Sequence, residues 1–157
     1  RVPMIVKLPG RVKAKLEVDT PVISMDVYPT ILELAGLPLL PKQHVDGVSL
    51  KPLLTGEKSS LEREAIYFHY PHYHPINTMG PAGAVRMGDY KLVEAFETGK
   101  VELYKLSDDM GEKNDLALSM PELTEKLTKM LHEWRAKSGA QMTTSNPDYK
   151  KEADWRE

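Results

Sequence analysis

No cysteine occurs anywhere in the sequence. That removes disulfides, cysteine-based zinc sites and thiol nucleophiles from consideration, and it leaves the cellular compartment open. No apolar run approaches the roughly 18 residues of a membrane-spanning helix. An excess of basic charge is also missing. The chain has 21 Lys and Arg against 23 Asp and Glu, a net charge of −2, and no strongly basic half. Nucleic-acid binding therefore has no electrostatic support. There is no Gly-rich phosphate loop, no serine in a Gly-x-Ser-x-Gly elbow and no internal repeat.

What is present fits an ordinary folded protein. A chain of 157 residues suits one domain, or one domain plus part of another. A folded chain of this size buries about 68–70% of the surface its unfolded form exposes, enough for a real core. Hydrophobic residues make up 41% and charged residues 28%, both typical of globular domains. The first residues, "RVPMIVKLPG", enter directly on an apolar run. They read as a cut edge, so the expectation is a piece of a longer protein.

The local pattern predicts a mixture of helices and strands. Val2 to Leu8, closed by Pro9-Gly10, reads as a buried strand and a turn. "SMDVYPTILELAGLP" reads as a helix with Asp26 as N-cap, Pro29 in the first turn and Gly36 as its stop. "SLKPLLTG" repeats that logic with Ser49, Pro52 and Gly56. The polar stretch Glu57 to Glu64 is the best linker candidate. After it, "AIYFHY" alternates, and the reading places Ile66, Phe68 and Tyr70 on the core face, with Tyr67 and His69 opposite. "AVRMGDYKLVEAF" reads as a hairpin turning at Gly88-Asp89, and "KVELYKL" completes a small antiparallel sheet. "SMPELTEKLTKMLHEWRAKSG" is a helix, with Ser119 and Glu122 as a capping box and an apolar stripe of Leu123, Leu127, Met130, Leu131 and Trp134. The remainder is a polar tail.

Candidate chemistry concentrates in "HYPHYHP", which holds three of the five histidines, His69, His72 and His74, between prolines. Three uses compete: a metal site, a proline-stiffened loop whose imidazoles are exposed or hydrogen-bonded, and a surface that offers donors to sugar hydroxyls or an anion. No carboxylate lies near enough to complete a recognised metal spacing. Asp108, Asp109, Glu112 and Asp115 do not follow the calcium-loop pattern and read as a capped turn. His132 reads as a helix-face residue. The residues alone assemble no complete catalytic set.

Taken in order, "RVPMIVKLPG", "MDVYPTILELAG", "DGVSLKPLLTG", "RMGDYKLV", "ELYKLSDDMGEKNDLA" and "PELTEKLTKMLHEW" resemble the C-terminal third of a type I sulfatase, through about residue 149. The likeness is greatest to bacterial carbohydrate or aryl sulfatases, in which a His-Tyr-Pro-His stretch also precedes an Arg-x-Gly-Asp-Tyr-Lys hairpin. The resemblance implies an alkaline-phosphatase-like α/β fold. Residues 1–57 would be the last strand and helices of its large domain. Residues 58–140 would be a C-terminal subdomain, an antiparallel sheet packed by one helix, α+β taken alone. Residues 141–157 would be a polar tail.

The resemblance also implies which parts this stretch lacks. The family's formylglycine nucleophile arises within a Cys/Ser-x-Pro-x-Arg motif, and this chain has none. The family's calcium ligands and catalytic His and Lys lie upstream. Calcium and formylglycine are therefore expected in the full-length parent and not here. The role carried over is substrate contact at the pocket rim, by His69, His72, His74, Arg86 and Lys91. The expected partner is a sulfated carbohydrate or aryl sulfate, and the expected location, by resemblance only, is periplasmic or secreted. Two alternatives stay open: a stand-alone module binding sulfated glycans, and a histidine-loop metal binder. Self-association through residues 1–57 is expected, because an apolar strand without neighbours invites pairing.

Overall fold

Proline and glycine punctuate the first third of the chain, where the helices are short. The computed structural model describes residues 2–73 and 80–148. The chain divides into two compact units, residues 1–63 and 64–157, with the break inside the polar stretch Glu57 to Glu64.

In the first unit, a single turn of 3-10 helix at Ser24–Asp26 leads into α1, Val27–Leu34. Asp26 occupies the N-cap position but does not cap. Its carboxylate turns inward instead and is fully buried. It accepts the backbone N–H of Ile23 at 2.9 Å and of Val48 at 3.0 Å, and it holds the Arg63 guanidinium at 2.7 and 3.0 Å. Thr30 extends the network, accepting the Leu50 N–H at 2.8 Å while its hydroxyl donates to the Asp26 carbonyl. Gly47 is dictated by proximity: a Cβ there would lie 2.3 Å from the Met25 carbonyl oxygen. α2, Lys51–Thr55, has Pro52 in its first turn, with the Ser49 hydroxyl accepting the Lys51 N–H at 3.2 Å. Gly56 closes it in the left-handed region, at φ 76°.

Residues 2–8 form no strand, contrary to the sequence expectation. A strand is held by ladder bonds to a neighbour, and none of the described residues of this unit forms one. Val2 and Ile5 are 91% and 92% exposed.

The second unit is a four-stranded antiparallel sheet in the order β1-β2-β3-β4. Its strands are β1, Ile66–Tyr70; β2, Ala82–Met87; β3, Tyr90–Ala95; and β4, Val101–Lys105. The β2–β3 turn works because Gly88 takes φ 56° as its first central residue, the position a tight hairpin reserves for glycine. Register aligns Tyr67, Val85, Leu92 and Leu103 in one row across the sheet. α3, Pro121–Ser138, covers that face. Its Leu127 and Leu131 join Val85, Leu92 and Leu103 as a fully buried core, packed around by Leu123, Met130 and Trp134. Each such side chain contributes about 1.5–3 kcal/mol relative to exposure.

Two sequence expectations change here. α3 begins one step later than the capping box required: Met120 holds the N-cap position, Pro121 is the first helical residue, and the Ser119 hydroxyl donates to the Leu116 carbonyl. The reading of β1 changes in part: Ile66 is buried as expected, while Phe68 and Tyr70 on its face are not. Tyr67, not Phe68, faces the core, because α3 supplies Trp134 as its partner, with ring centroids 5.1 Å apart. Phe68 and Tyr70 stand on the open face, 51% and 39% exposed.

The two edges of the sheet differ. On β4, the Leu103 N–H donates to Asp115 at 3.0 Å and the Leu103 carbonyl accepts the Leu116 N–H at 2.7 Å. On β1, no backbone group bonds outward among the described residues.

Candidate functional site

β1 and the chain leaving it carry the histidines, and the pleat separates them. His69 lies on the α3 side, level with Gly83 and Glu94. Its Nε2 is 2.7 Å from the Gln141 carbonyl oxygen, so Nε2 carries a proton and donates it to the segment following α3. Its Nδ1 is buried without a partner among the described residues. The ring leans on Phe96 at 5.2 Å, and the Arg135 guanidinium lies over the same ring at 5.1 Å. Gly83 makes the room, since a Cβ there would meet the Phe96 ring at 3.1 Å. Arg135 pairs with Glu94 at 2.6 Å, and His132 reaches the other Glu94 oxygen at 2.9 Å. This cluster ties α3 to the sheet. Sequence reading missed it, because its members come from β1, β2, β3 and α3.

His72 is exposed just past β1 and stands edge-on to Tyr70, with centroids 5.6 Å and planes 83° apart. Tyr73 follows, and its hydroxyl donates to Glu97 beyond β3. His74 lies outside the described residues.

Arg86 and Lys91 face each other across the β2–β3 hairpin on the open face, together with Phe68 and Tyr70. Their states differ. Lys91 is held by both oxygens of Glu112, at 2.7 and 2.9 Å. Arg86 donates only from Nε, to the Gly88 carbonyl at 3.2 Å, and forms no ion pair among the described residues. Tyr104, opposite Lys91, has its phenol pushed up to about 12, first by burial and then by Glu102, and stays neutral near pH 7. The structure thus brings Arg86 and Lys91 together, leaves His72 at the adjoining strand exit, and puts His69 on the other side of the sheet.

The acidic run after β4 acts as a capped turn. Asp109 accepts the N–H groups of Lys113 and Asn114, and Asp115 those of Leu103 and Ala117. Among the described residues, no three His, Asp or Glu side chains converge to hold a metal ion. No helix among them is long and apolar enough to cross a membrane. In the first unit, a cleft of about 350 Å³ is lined by Arg11, Glu33, Leu34, Lys51 and Thr55. Its cations are engaged, Lys51 with Glu33 at 3.5 Å and Arg11 with the Leu34 carbonyl.

Similarity to known proteins agrees with this architecture. The family described as N-sulphoglucosamine sulphohydrolase, C-terminal, matches residues 1–137. A sulfatase from Formosa agariphila is 32% identical over 89% of this chain and 28% of its own length. Human arylsulfatase K is 32% identical over 83% of this chain and 25% of its own length. A solved 2-O GAG sulfatase superposes with a TM-score of 0.64 at 25% identity, over 78% of this chain and 27% of its own. The chain therefore spans about a quarter of the length of these relatives. The fold is α/β of the alkaline-phosphatase-like kind, represented here by helices and a four-stranded antiparallel sheet. Family match, sequence relatives and fold agree: the chain belongs to the N-sulphoglucosamine sulphohydrolase C-terminal family and is a C-terminal portion of a sulfatase.

Proposed function

We propose that this chain serves an enzyme that hydrolyses sulfate esters of carbohydrates or aryl alcohols, and that its second unit contributes part of the substrate rim. The observation carrying this is the open face of the sheet, where Arg86 keeps a guanidinium without a carboxylate partner among the described residues. A guanidinium fork matches the geometry of an oxyanion such as sulfate, and each charge-assisted hydrogen bond is worth about 1.5–3 kcal/mol. His72 is exposed at the adjoining strand exit and adds a neutral or cationic donor. His69 and Lys91, already bonded to Gln141 and Glu112, act on the rim by holding its shape.

The nucleophile and the metal belong elsewhere in this reading. The family implies formylglycine and calcium. The described residues contain no acidic cluster that fits a cation, and the sequence has neither cysteine nor a Ser-x-Pro-x-Arg motif. Both groups would be held by residues outside this chain, with export to the periplasm or beyond as the matching location. The test is Arg86→Met in the full-length enzyme. Turnover of a sulfated sugar should fall about tenfold or more in kcat/KM, mostly through KM. Unchanged kinetics would remove Arg86 from the rim. The 157-residue chain alone should turn over no sulfate ester. Turnover by it, free of contaminating enzyme, would place the catalytic groups within these residues.

A further inference from the structure

The sulfatase reading leaves two exposed aromatic rings without a task. Phe68 and Tyr70 stand two residues apart on the open face of β1, about 6.6 Å apart along the strand. Opposite them in β2 are Ala84 and Ala82, too short to cover either ring. His72 continues the row, edge-on to Tyr70. Arg86 lies two residues from Ala84 on the same face, which makes it the diagonal neighbour of Phe68. The rings are thus interleaved with polar groups: a phenol without a hydrogen-bond partner among the described residues, an imidazole and a guanidinium.

We propose that Phe68 and Tyr70 form a stacking platform for the sugar rings of a sulfated oligosaccharide, with Arg86 meeting a sulfate beside it. The charge of this ligand rests on the function proposed above; the ring contact is an additional assignment. An aromatic face carries partial negative charge and attracts polarised C–H bonds, which a pyranose presents together on its apolar side. The sugar's hydroxyls and sulfate then satisfy the donors that flank the rings. A wholly apolar partner would leave those groups desolvated and unpaired, which costs free energy. Charge complementarity favours an anion, because Arg86 forms no ion pair among the described residues while Lys91 is neutralised by Glu112.

The platform is tested on the 157-residue chain by chemical-shift titration with two probes, a short 6-O-sulfated N-acetylglucosamine oligosaccharide and its unsulfated counterpart. Phe68→Ala and Tyr70→Ala should each weaken binding of both probes about tenfold. Phe68→Tyr should restore it. Arg86→Met should weaken only the sulfated probe. Near-ultraviolet circular dichroism from the Tyr67–Trp134 pair checks that the fold is kept. Wild-type affinity in Phe68→Ala and Tyr70→Ala would overturn the platform. So would binding of neither probe, or an effect of these variants on sedimentation alone, which would make the rings a protein contact. Equal affinity for both probes, insensitive to Arg86→Met but lost in Phe68→Ala, would keep the ring contact and sink the sulfate reading.

Discussion

Tyr67 on β1 and Trp134 on α3 lie ring on ring, their centroids 5.1 Å and their planes only 2° apart. The stack fastens the edge strand to the helix. It also desolvates the Tyr67 phenol, which burial, followed by the nearby Glu64 and Glu133, pushes above its ordinary value. Trp134→Ala should cost roughly 2–4 kcal/mol of unfolding free energy, from lost burial plus lost ring contact. Urea titration followed by circular dichroism measures it. A cost under about 0.5 kcal/mol, the size of an ordinary surface change, would mean the helix is held by its leucines alone.

The Asp26–Arg63 pair should be the most sensitive point of the first unit. Asp26 is fully buried and Arg63 nearly so. Arg63→Met leaves a carboxylate buried without its cation, at about 3–5 kcal/mol. The double variant Asp26→Asn with Arg63→Met removes that charge and should recover part of the loss. Thermal unfolding of the three proteins gives the answer. A double variant no better than Arg63→Met would show that the backbone bonds to Asp26, not the ion pair, dominate.

Acid should weaken the second unit through Asp115. The backbone N–H groups of Leu103, first, and Ala117 hold its carboxyl below the usual carboxylate range. A depressed folded value means the contribution is present above the unfolded value of about 3.9 and is lost as pH falls through the folded one. Wild-type stability should therefore decline below about pH 4, while Asp115→Asn should show a flatter acid limb. Identical slopes in urea midpoints measured from pH 5 to pH 2 would contradict this.

Residues 1–57 should drive self-association. Val2, Ile5, Val18, Ile31 and Leu37 are all exposed there, and apolar surface of this kind rarely stays free. Sedimentation should depend on concentration, and Ile5→Asp with Ile31→Asp should shift the chain toward monomer. A monomer at all concentrations in the wild type would count against it.

Periodicity made α3 legible, since Leu127 and Leu131 fall where the stripe places them. The hairpin was legible because Gly88 supplies a left-handed residue at the turn. The faces of β1 were legible only at Ile66, which is buried as read. Ile, Tyr, Phe, His and Tyr put apolar bulk on both sides of the pleat, and Trp134, 67 positions away from Tyr67, draws that ring to the helix side. Asp26 resembled an N-cap for the same reason: the N–H of Val48 and the guanidinium of Arg63 that redirect it are distant in sequence. The candidate site inherits this limit. Arg86 and Lys91 were found by a local motif, but the Glu112 that occupies Lys91, and the Gln141 that engages His69, come from later in the chain.

The unequal edges of the sheet set a limit on growth. Asp115 and Leu116 occupy the outward hydrogen-bonding groups of Leu103, as a finished selvage closes one side of a cloth. Among the described residues β1 is the edge without outward bonds, so a joining strand would enter beside it, and two copies meeting there would use it up. Stacking of strands into an open fibre needs two receptive sides. With the β4 side engaged at Leu103, a pair joined beside β1 should not extend into a fibre.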